Sequence, residues 1–388
     1  MGVTNQDLQI AASDSSFITA SILYVEAAPV FYSIHGHEAI RLQCPSAELD
    51  YCFSFEVNPA LISQLSFLTT SRAGFMAIDY QSYVNKHLHE KRGIHEFVLN
   101  LSPVEKQNLW KVLDDYVDDG MIYQFNYLNR NCTSECIHVI KLALDEGEEL
   151  QYRDLPQSLT GTHRTVVESM STQSPWSALF WNFTMGTQGD QQSEIDYRIS
   201  PFYHYQAWKN AVLVDSAGHE RAMIKGEMRQ VIGPFPKQQS YWPSPLVTFG
   251  AILFVTVCVS ALQLLKKIKD SSLVVKVLDG FLLAAQTIVG CYLVFLLLFS
   301  DVPATTWNWY VIPYNPLPAL MWLCYHRRSW FGRVYRVYSL VLVAFLLASP
   351  LFPQTNLVMC LPLLCFLLRC LTKSINKTNN TNSKSKKR

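Results

Sequence analysis

Apolar residues fall into two regimes that change near position 246. Before it, short runs alternate with polar positions; after it, stretches of twenty residues carry no charge. In the first regime, Phe17–Val25 (FITASILYV) has strand composition and a bend follows at Ala27–Pro29. His37–Cys44 (HEAIRLQC) and Tyr51–Val57 (YCFSFEV) predict a hairpin closed by Pro45–Asp50, and His95–Leu101 predicts another short strand. Ser102-Pro103-Val104-Glu105 opens a helix, with Ser102 as cap, proline at the first helical position and Glu105 completing a capping box. Leu109, Val112, Leu113 and Tyr116 make its buried stripe, and Gly120 stops it. Tyr123–Tyr127 reads as extended, and Asn131 caps a second helix over Cys132–Leu144. Residues 151–230 are less periodic and are expected to wrap over the core.

The second regime predicts a membrane. Leu246–Leu265 and Gly280–Phe299 are uncharged, as is Thr306–Tyr325, which Pro313, Pro316 and Pro318 interrupt. Val337–Phe352 and Leu357–Leu368 are shorter and fit two short spans or one re-entrant pair. A spanning helix takes about 20 apolar residues, so the pattern gives an all-α bundle of about five helices. The expected domains are an extracytoplasmic part over 1–230, a Pro-rich linker over 231–245 with Tyr241 and Trp242, a transmembrane part over 246–372, and a basic tail over 373–388.

Charge sharpens the division. Residues 1–245 hold 17 Lys+Arg against 28 Asp+Glu, a net −11; residues 246–388 hold 15 against 3, a net +12. The acidic half argues against a nucleic-acid partner, since phosphates demand a positive surface. Lys266, Lys267 and Lys269 follow the first span; Arg327, Arg328, Arg333 and Arg336 follow the third; the tail is basic; the two other connections carry no Lys or Arg. Basic loops stay cytoplasmic, which puts the N-terminal half outside and the C-terminus inside. Met1–Ser16 lacks the basic and apolar regions of an export signal, so the numbering is expected to start near a mature terminus.

The soluble half has four cysteines. Cys44 and Cys52 lie on the proposed hairpin with seven residues between them and could pair across it in an oxidising compartment. Cys136 reads as a small buried residue. Cys132 sits in the first turn of the capped helix, where unpaired N–H groups and the helix dipole favour an anion, so its thiol is expected to ionise easily. His37, on the hairpin strand, supplies a base for a Cys/His pair, although buried histidine is also ordinary. A zinc site from His35, His37, Cys132 and Cys136 matches no standard ligand spacing.

The segments IHGHEAIRL (Ile34–Leu42), DYCFSF (Asp50–Phe55), FLTTSRAGFMAIDY (Phe67–Tyr80), LNLSPVEKQNLW (Leu99–Trp110) and YQFNYLNRNCTSE (Tyr123–Glu135) resemble the Lnb family. MGTQGD (Met185–Asp190) and the NPLP stretch at Asn315–Pro318 extend the likeness towards the C-terminus. That family comprises lipoprotein N-acyltransferases of Bacteroides-type bacteria, with a periplasmic thiol domain before a membrane region. The His-before-Cys order is also similar to the permuted papain-like group that includes lecithin:retinol acyltransferase. The resemblance implies an α+β permuted papain-like (NlpC-like) thiol domain joined to the membrane bundle. It implies Cys132 as nucleophile and His37 as base. The residues after Asn131-Cys132, with Glu135 and His138 among them, depart from the basic-then-acidic order expected there. For the group that orients the histidine, Asp50, Ser54 and Glu56 lie on the neighbouring strand, and Glu56 is preferred.

The implied activity moves an acyl chain from a membrane phospholipid, through a Cys132 thioester, to the N-terminal amine of a diacylglyceryl-cysteine lipoprotein in the bacterial inner membrane. Asn131 or Tyr127 is a candidate oxyanion donor, and Arg41 or Arg72 a candidate contact for the lipid phosphate. No metal or nucleotide cofactor is required. A membrane-anchored cell-wall endopeptidase and a non-enzymatic lipid- or peptide-binding receptor are the competing readings.

Overall fold

The computed structural model describes residues 18–28, 33–56, 69–126, 129–153, 161–170, 174–193, 200–236, 242–325 and 331–385. The contacts divide it into two units. The first takes Met1–Ser177, Gln191–Gln239 and Asp301–Ala304; the second takes Ala178–Asp190, Ser240–Ser300 and Thr305–Arg388.

The first unit is built on a seven-stranded antiparallel sheet. Its strands are β1 (Thr19–Val25), β2 (His37–Cys44), β3 (Leu49–Glu56), β4 (Arg72–Asp79), β5 (Ile94–Val98), β6 (Ile122–Gln124) and the late β12 (Arg229–Ile232), in the order β12-β5-β1-β2-β3-β4-β6. The expected β2–β3 hairpin is present. Its register sets Cys44 opposite Leu49 and Cys52 opposite Arg41. Cys44 packs in the cluster with Ile40 and Leu42, while Cys52 packs in the opposite cluster with Ala39 and Tyr83. Both thiols are free. The candidate Cys44–Cys52 disulfide is therefore corrected: side-chain alternation sends the two sulfurs to opposite faces.

Helices cover both faces. α1 (Tyr80–His89) lies on one, and its Tyr83 is fully buried. α2 (Pro103–Asp118) and α3 (Cys132–Ala143) lie on the other, burying Leu109, Trp110, Leu113, Ile137 and Ile140 against Ile40, Phe53 and Phe55. The capping box at Ser102 and Glu105 forms in both directions, and Gly120 takes a positive φ of 58° just past the helix. Glu105 also holds Arg221, tying the start of α2 to a second sheet of β7 (Glu149–Tyr152), β10 (Ala211–Val214) and β11 (Glu220–Ala222). A two-residue ladder of β8 (Gly161–Thr162) with β9 (Gln192–Ser193) and the short helices α4 (His163–Met170) and α6 (Pro201–Trp208) complete the unit. Residues 151–230 are thus more ordered than their weak periodicity predicts, and the stretch read as linker begins inside β12.

Among the described residues of the second unit, four helices are long and apolar enough to cross a membrane: α7 (Pro245–Leu264), α8 (Leu273–Phe299), most of α10 (Phe331–Ala348) extended to Leu351, and the first part of α11 (Leu357–Ser385). The last two are separate span-length helices, not a re-entrant pair. The third uncharged stretch differs from expectation. It forms a turn at Trp309–Val311 and a helix, α9, of nine residues over Leu317–Tyr325. The described part of α9 rises only about 14 Å, half the hydrocarbon thickness. The prolines forbid a continuous ladder, and side chains meet the freed carbonyls: Gln286 and Tyr338 both donate to Pro313 O. Gly290 lets the Asn315 backbone approach so closely that an added Cβ would sit 2.7 Å from it.

The unit also takes in Ala178–Asp190, which the sequence assigned to the soluble half. This covers most of α5 (Pro175–Thr184). Asn308 Nδ2 donates to Phe183 O at 2.7 Å and Gln354 Nε2 to Met185 O at 3.1 Å, so side chains satisfy the carbonyls that a helix end leaves bare. Phe183 stacks with Tyr310 and meets Tyr314 edge-on. A polar knot joins three spans elsewhere: Arg369 donates to Asp279 at 2.7 Å, to Ser260 and to Gln263, and Lys373 pairs with the other oxygen of Asp279 at 2.7 Å.

Candidate active site

Asn131 is extended (φ −133°), and its side chain accepts hydrogen bonds from the Thr133 and Ser134 amides; the Ser134 hydroxyl returns one to the Asn131 N–H. This capping fixes Cys132 as the first helical residue. Its thiol is buried, with the main chain of Glu38 and of Thr133 as the groups that favour its anion. Glu38 immediately follows His37. The β2–β3 ladder opens only at Ala39↔Ser54, so the Glu38 amide lies at the open end of that ladder.

The thiol does not ionise easily. Burial pushes it up to about 12; the Glu38 amide and Thr133 offset part of this, while the Glu38 carboxylate adds to it. The expectation drawn from the helix N-terminus is corrected, because desolvation outweighs the helix dipole at a buried first turn. His37 is also held neutral. Burial first, then the positive charges of Arg92, His87 and Lys86, lower its imidazole well below the usual 6.5. The resting pair is thus a neutral thiol and a neutral imidazole. Iodoacetamide, which reads the thiolate, should alkylate Cys132 slowly at neutral pH, with a rate that climbs about tenfold per pH unit into the alkaline range. A rate that is already flat at neutral pH would contradict the buried-thiol picture.

His37 Nε2 lies 2.7 Å from Ser54 Oγ and 4.0 Å from Glu56 Oε2. Glu56 is taken by Lys86 Nζ at 2.8 Å. Ser54, not Glu56, is the direct partner of the histidine, because residue 54 sits one step nearer along the same sheet face. The structure does not bring the expected pair together: His37 shares the sheet face of Val25, Ala39 and α1, whereas Cys132 packs with Ile40 and Leu42 on the other, and among the described residues no hydrogen bond joins them.

Arg41 is not available to a ligand. It forks onto Asp50 at 2.7 and 2.8 Å, donates to Glu96 at 2.9 Å and lies 3.4 Å over the Tyr80 ring. That is a buried structural ion pair. Arg72 is exposed on β4 and lines a cleft with Thr70, Ile122, Tyr123, Gln124 and Asp301. Tyr127 lies outside the described residues. Asn131 is present as the helix cap. His35 is half-buried and Cys136 fully buried, and no group of three or more His, Cys, Asp or Glu that could hold a metal ion occurs among the described residues.

Two groups were missed by sequence reading. The Tyr123 hydroxyl is buried without a hydrogen-bond partner among the described residues, and after burial the Cys132 sulfur is the largest influence on it. The alternation in YQFNY places Tyr123 inward, a signal that could have found it. The second is Glu38, fully buried beside the thiol. Its oxygens accept from His204 Nδ1 and Trp208 Nε1, each at 2.7 Å, and His204 Nε2 lies 2.7 Å from the Tyr152 hydroxyl. His204 is unsuited to act as a base, since both its ring nitrogens are engaged.

A capped-helix thiol docked on an antiparallel sheet, followed by a helical membrane unit, defines a membrane-anchored thiol protein. The chain belongs to the Lnb family: the Lnb N-terminal periplasmic domain matches residues 5–169 and the Lnb transmembrane domain matches residues 237–381. It is accordingly a membrane protein with a periplasmic N-terminal domain. No curated protein and no solved structure matches the chain.

Proposed function

We propose that this protein N-acylates lipoproteins, taking the acyl chain from a membrane phospholipid through a thioester on Cys132, within a permuted papain-like arrangement of the site. The observation that carries the reading is the Cys132 thiol, held at a capped helix start against the residue following His37, in a chain of the Lnb family. With Nε2–H donated to Ser54, His37 keeps the lone pair on Nδ1 as a base. His37 lies on the α1 face of β2 and Cys132 on the α3 face, so this role for the imidazole requires the first residues of β2 to turn His37 over to the thiol side.

Cys132 attacks the ester carbonyl as His37 takes its proton. The Glu38 amide and the Tyr123 hydroxyl stabilise the oxyanion. The carbon–oxygen bond breaks, His37 returns the proton to the glycerol oxygen, and lysophospholipid leaves. The lipoprotein amine attacks the thioester, its proton passes to His37, and the thiol is regenerated. Arg72, at the cleft that Tyr123 also lines, is the candidate contact for the donor phosphate, with Asp301 beside it. The basic segments after α7 and in the tail support a reading with the C-terminus in the cytoplasm and the bundle in a bacterial inner membrane.

The test is intact-protein mass spectrometry after incubation with phospholipid and no acceptor. The expected result is a mass increase of one acyl chain, released by neutral hydroxylamine, absent in Cys132→Ser and formed far more slowly in His37→Ala. A peptidase or a receptor would carry no such adduct, and its absence from the wild-type protein would refute the mechanism.

A further inference from the structure

A fully buried carboxylate beside a nucleophilic thiol is a physical puzzle. Desolvating Glu38 is costly, and its negative charge opposes the thiolate. The side chain is nevertheless retained on two strong donors. His204 Nδ1 and Trp208 Nε1, both from α6, each lie 2.7 Å from one of its oxygens, and Tyr152 of β7 holds the far nitrogen of His204. Glu38, His204 and Trp208 are each fully buried, and His204 and Trp208 pack ring against ring at 4.5 Å. The carboxylate and the amide belong to one residue, so α6 and β7 fix where the Glu38 N–H points. Glu38 shares its face of β2 with Ile40, and Ile40, Trp208 and Cys132 lie in one buried cluster, so the clamped residue sits on the thiol side of the sheet. His37, one residue back, is anchored separately on Ser54.

We infer that Glu38, clamped by His204 and Trp208, is the positioning residue for the acyl-transfer centre: it aims its own backbone N–H at the sulfur and holds a fixed negative charge beside it. The inference rests on the reading of Cys132 as nucleophile. The Tyr152 hydroxyl donates to His204 Nε2 while His204 Nδ1–H donates to Glu38, so the network is satisfied with a neutral imidazole. Such a clamp improves transfer through geometry while making the free thiol harder to ionise. These two effects have opposite signs, which separates positioning from plain packing.

The experiment uses the full-length protein in phospholipid nanodiscs. Glu38→Gln keeps the shape and the Trp208 bond but removes the charge and sets an amide against His204 Nδ1. Acyl-enzyme formation should fall about 10- to 100-fold, since small misplacements at a reacting centre cost that much. Iodoacetamide alkylation of Cys132 should instead accelerate several-fold, because the nearest negative charge is gone while Tyr123, Glu135 and Cys136, the other ionisable groups around the sulfur, are unchanged. Trp208→Phe and Tyr152→Phe keep the carboxylate and loosen the clamp, so acylation should fall without faster alkylation. Wild-type acylation in Glu38→Gln, or a parallel fall of both readouts, overturns the inference. If Glu38→Gln fails to fold, wild-type acylation in both Trp208→Phe and Tyr152→Phe overturns it. Faster alkylation in Glu38→Gln, in a protein whose wild type forms no acyl adduct, would instead refute the nucleophile assignment and leave the electrostatic role standing.

Discussion

Cys132→Ala is expected to abolish acyl transfer, by on the order of 10⁴-fold or more, while leaving the fold intact. An amine displaces a glycerol alkoxide from an ester poorly, so without the thioester both half-reactions disappear together. The structural cost is small. The sulfur lies at the end of the buried cluster, and the cap at Asn131 that shapes this turn uses none of its atoms. Cys136→Ala makes the control. That side chain is fully buried one turn further on, so it should lose about 1–2 kcal/mol of stability and keep its activity. Lipoprotein acylation measured beside thermal unfolding separates the two. An active Cys132→Ala protein would remove the proposed nucleophile.

Asp279→Leu is expected to destabilise the membrane unit by about 3–5 kcal/mol, the usual consequence of leaving a buried charge without its partner. Arg369 would retain only Ser260 and Gln263, and Lys373 would lose its carboxylate. Removing Arg369 as well, as Asp279→Leu with Arg369→Leu, should cost less than the sum of the single changes by about 1–3 kcal/mol. Detergent-titrated unfolding measures all three. Additive losses would show that the two charges are not coupled.

The features legible in the sequence were local. The Ser102–Glu105 box and the Asn131 cap depend on residues three apart, and both formed. The β2–β3 hairpin was visible because its strands adjoin in sequence. What escaped depends on distant partners. Asp50, Ser54 and Glu56 looked equivalent on one strand; only the sheet register and Lys86, which comes from α1, distinguish them. Arg41 became structural through Glu96 and Tyr80, far along the chain. Cys132 was read from its helix position, but burial set its ionisation, and burial is a property of the packed unit. No element was predicted between Val57 and His95, yet β4 and α1 lie there. Thr306–Tyr325 had span-like composition, and its prolines turned it into a broken segment. For the site, Cys132 and His37 were named from motif order and the family resemblance and Ser54 as one of three candidates, whereas Tyr123 and Glu38 required the tertiary structure.

The interleaving of the two units sets an order on biogenesis. Residues 178–190 emerge before any spanning helix, yet their bonding partners Asn308 and Gln354 are about 125 and 170 residues further along the chain. Until those partners arrive, Leu179 and Phe183 stay uncovered and the carbonyls at the end of α5 must be held by water. The sheet, in contrast, closes as soon as β12 pairs with β5. Export of the first half therefore yields a folded sheet carrying an undocked apolar strap, which matures only after the last membrane helices have been inserted.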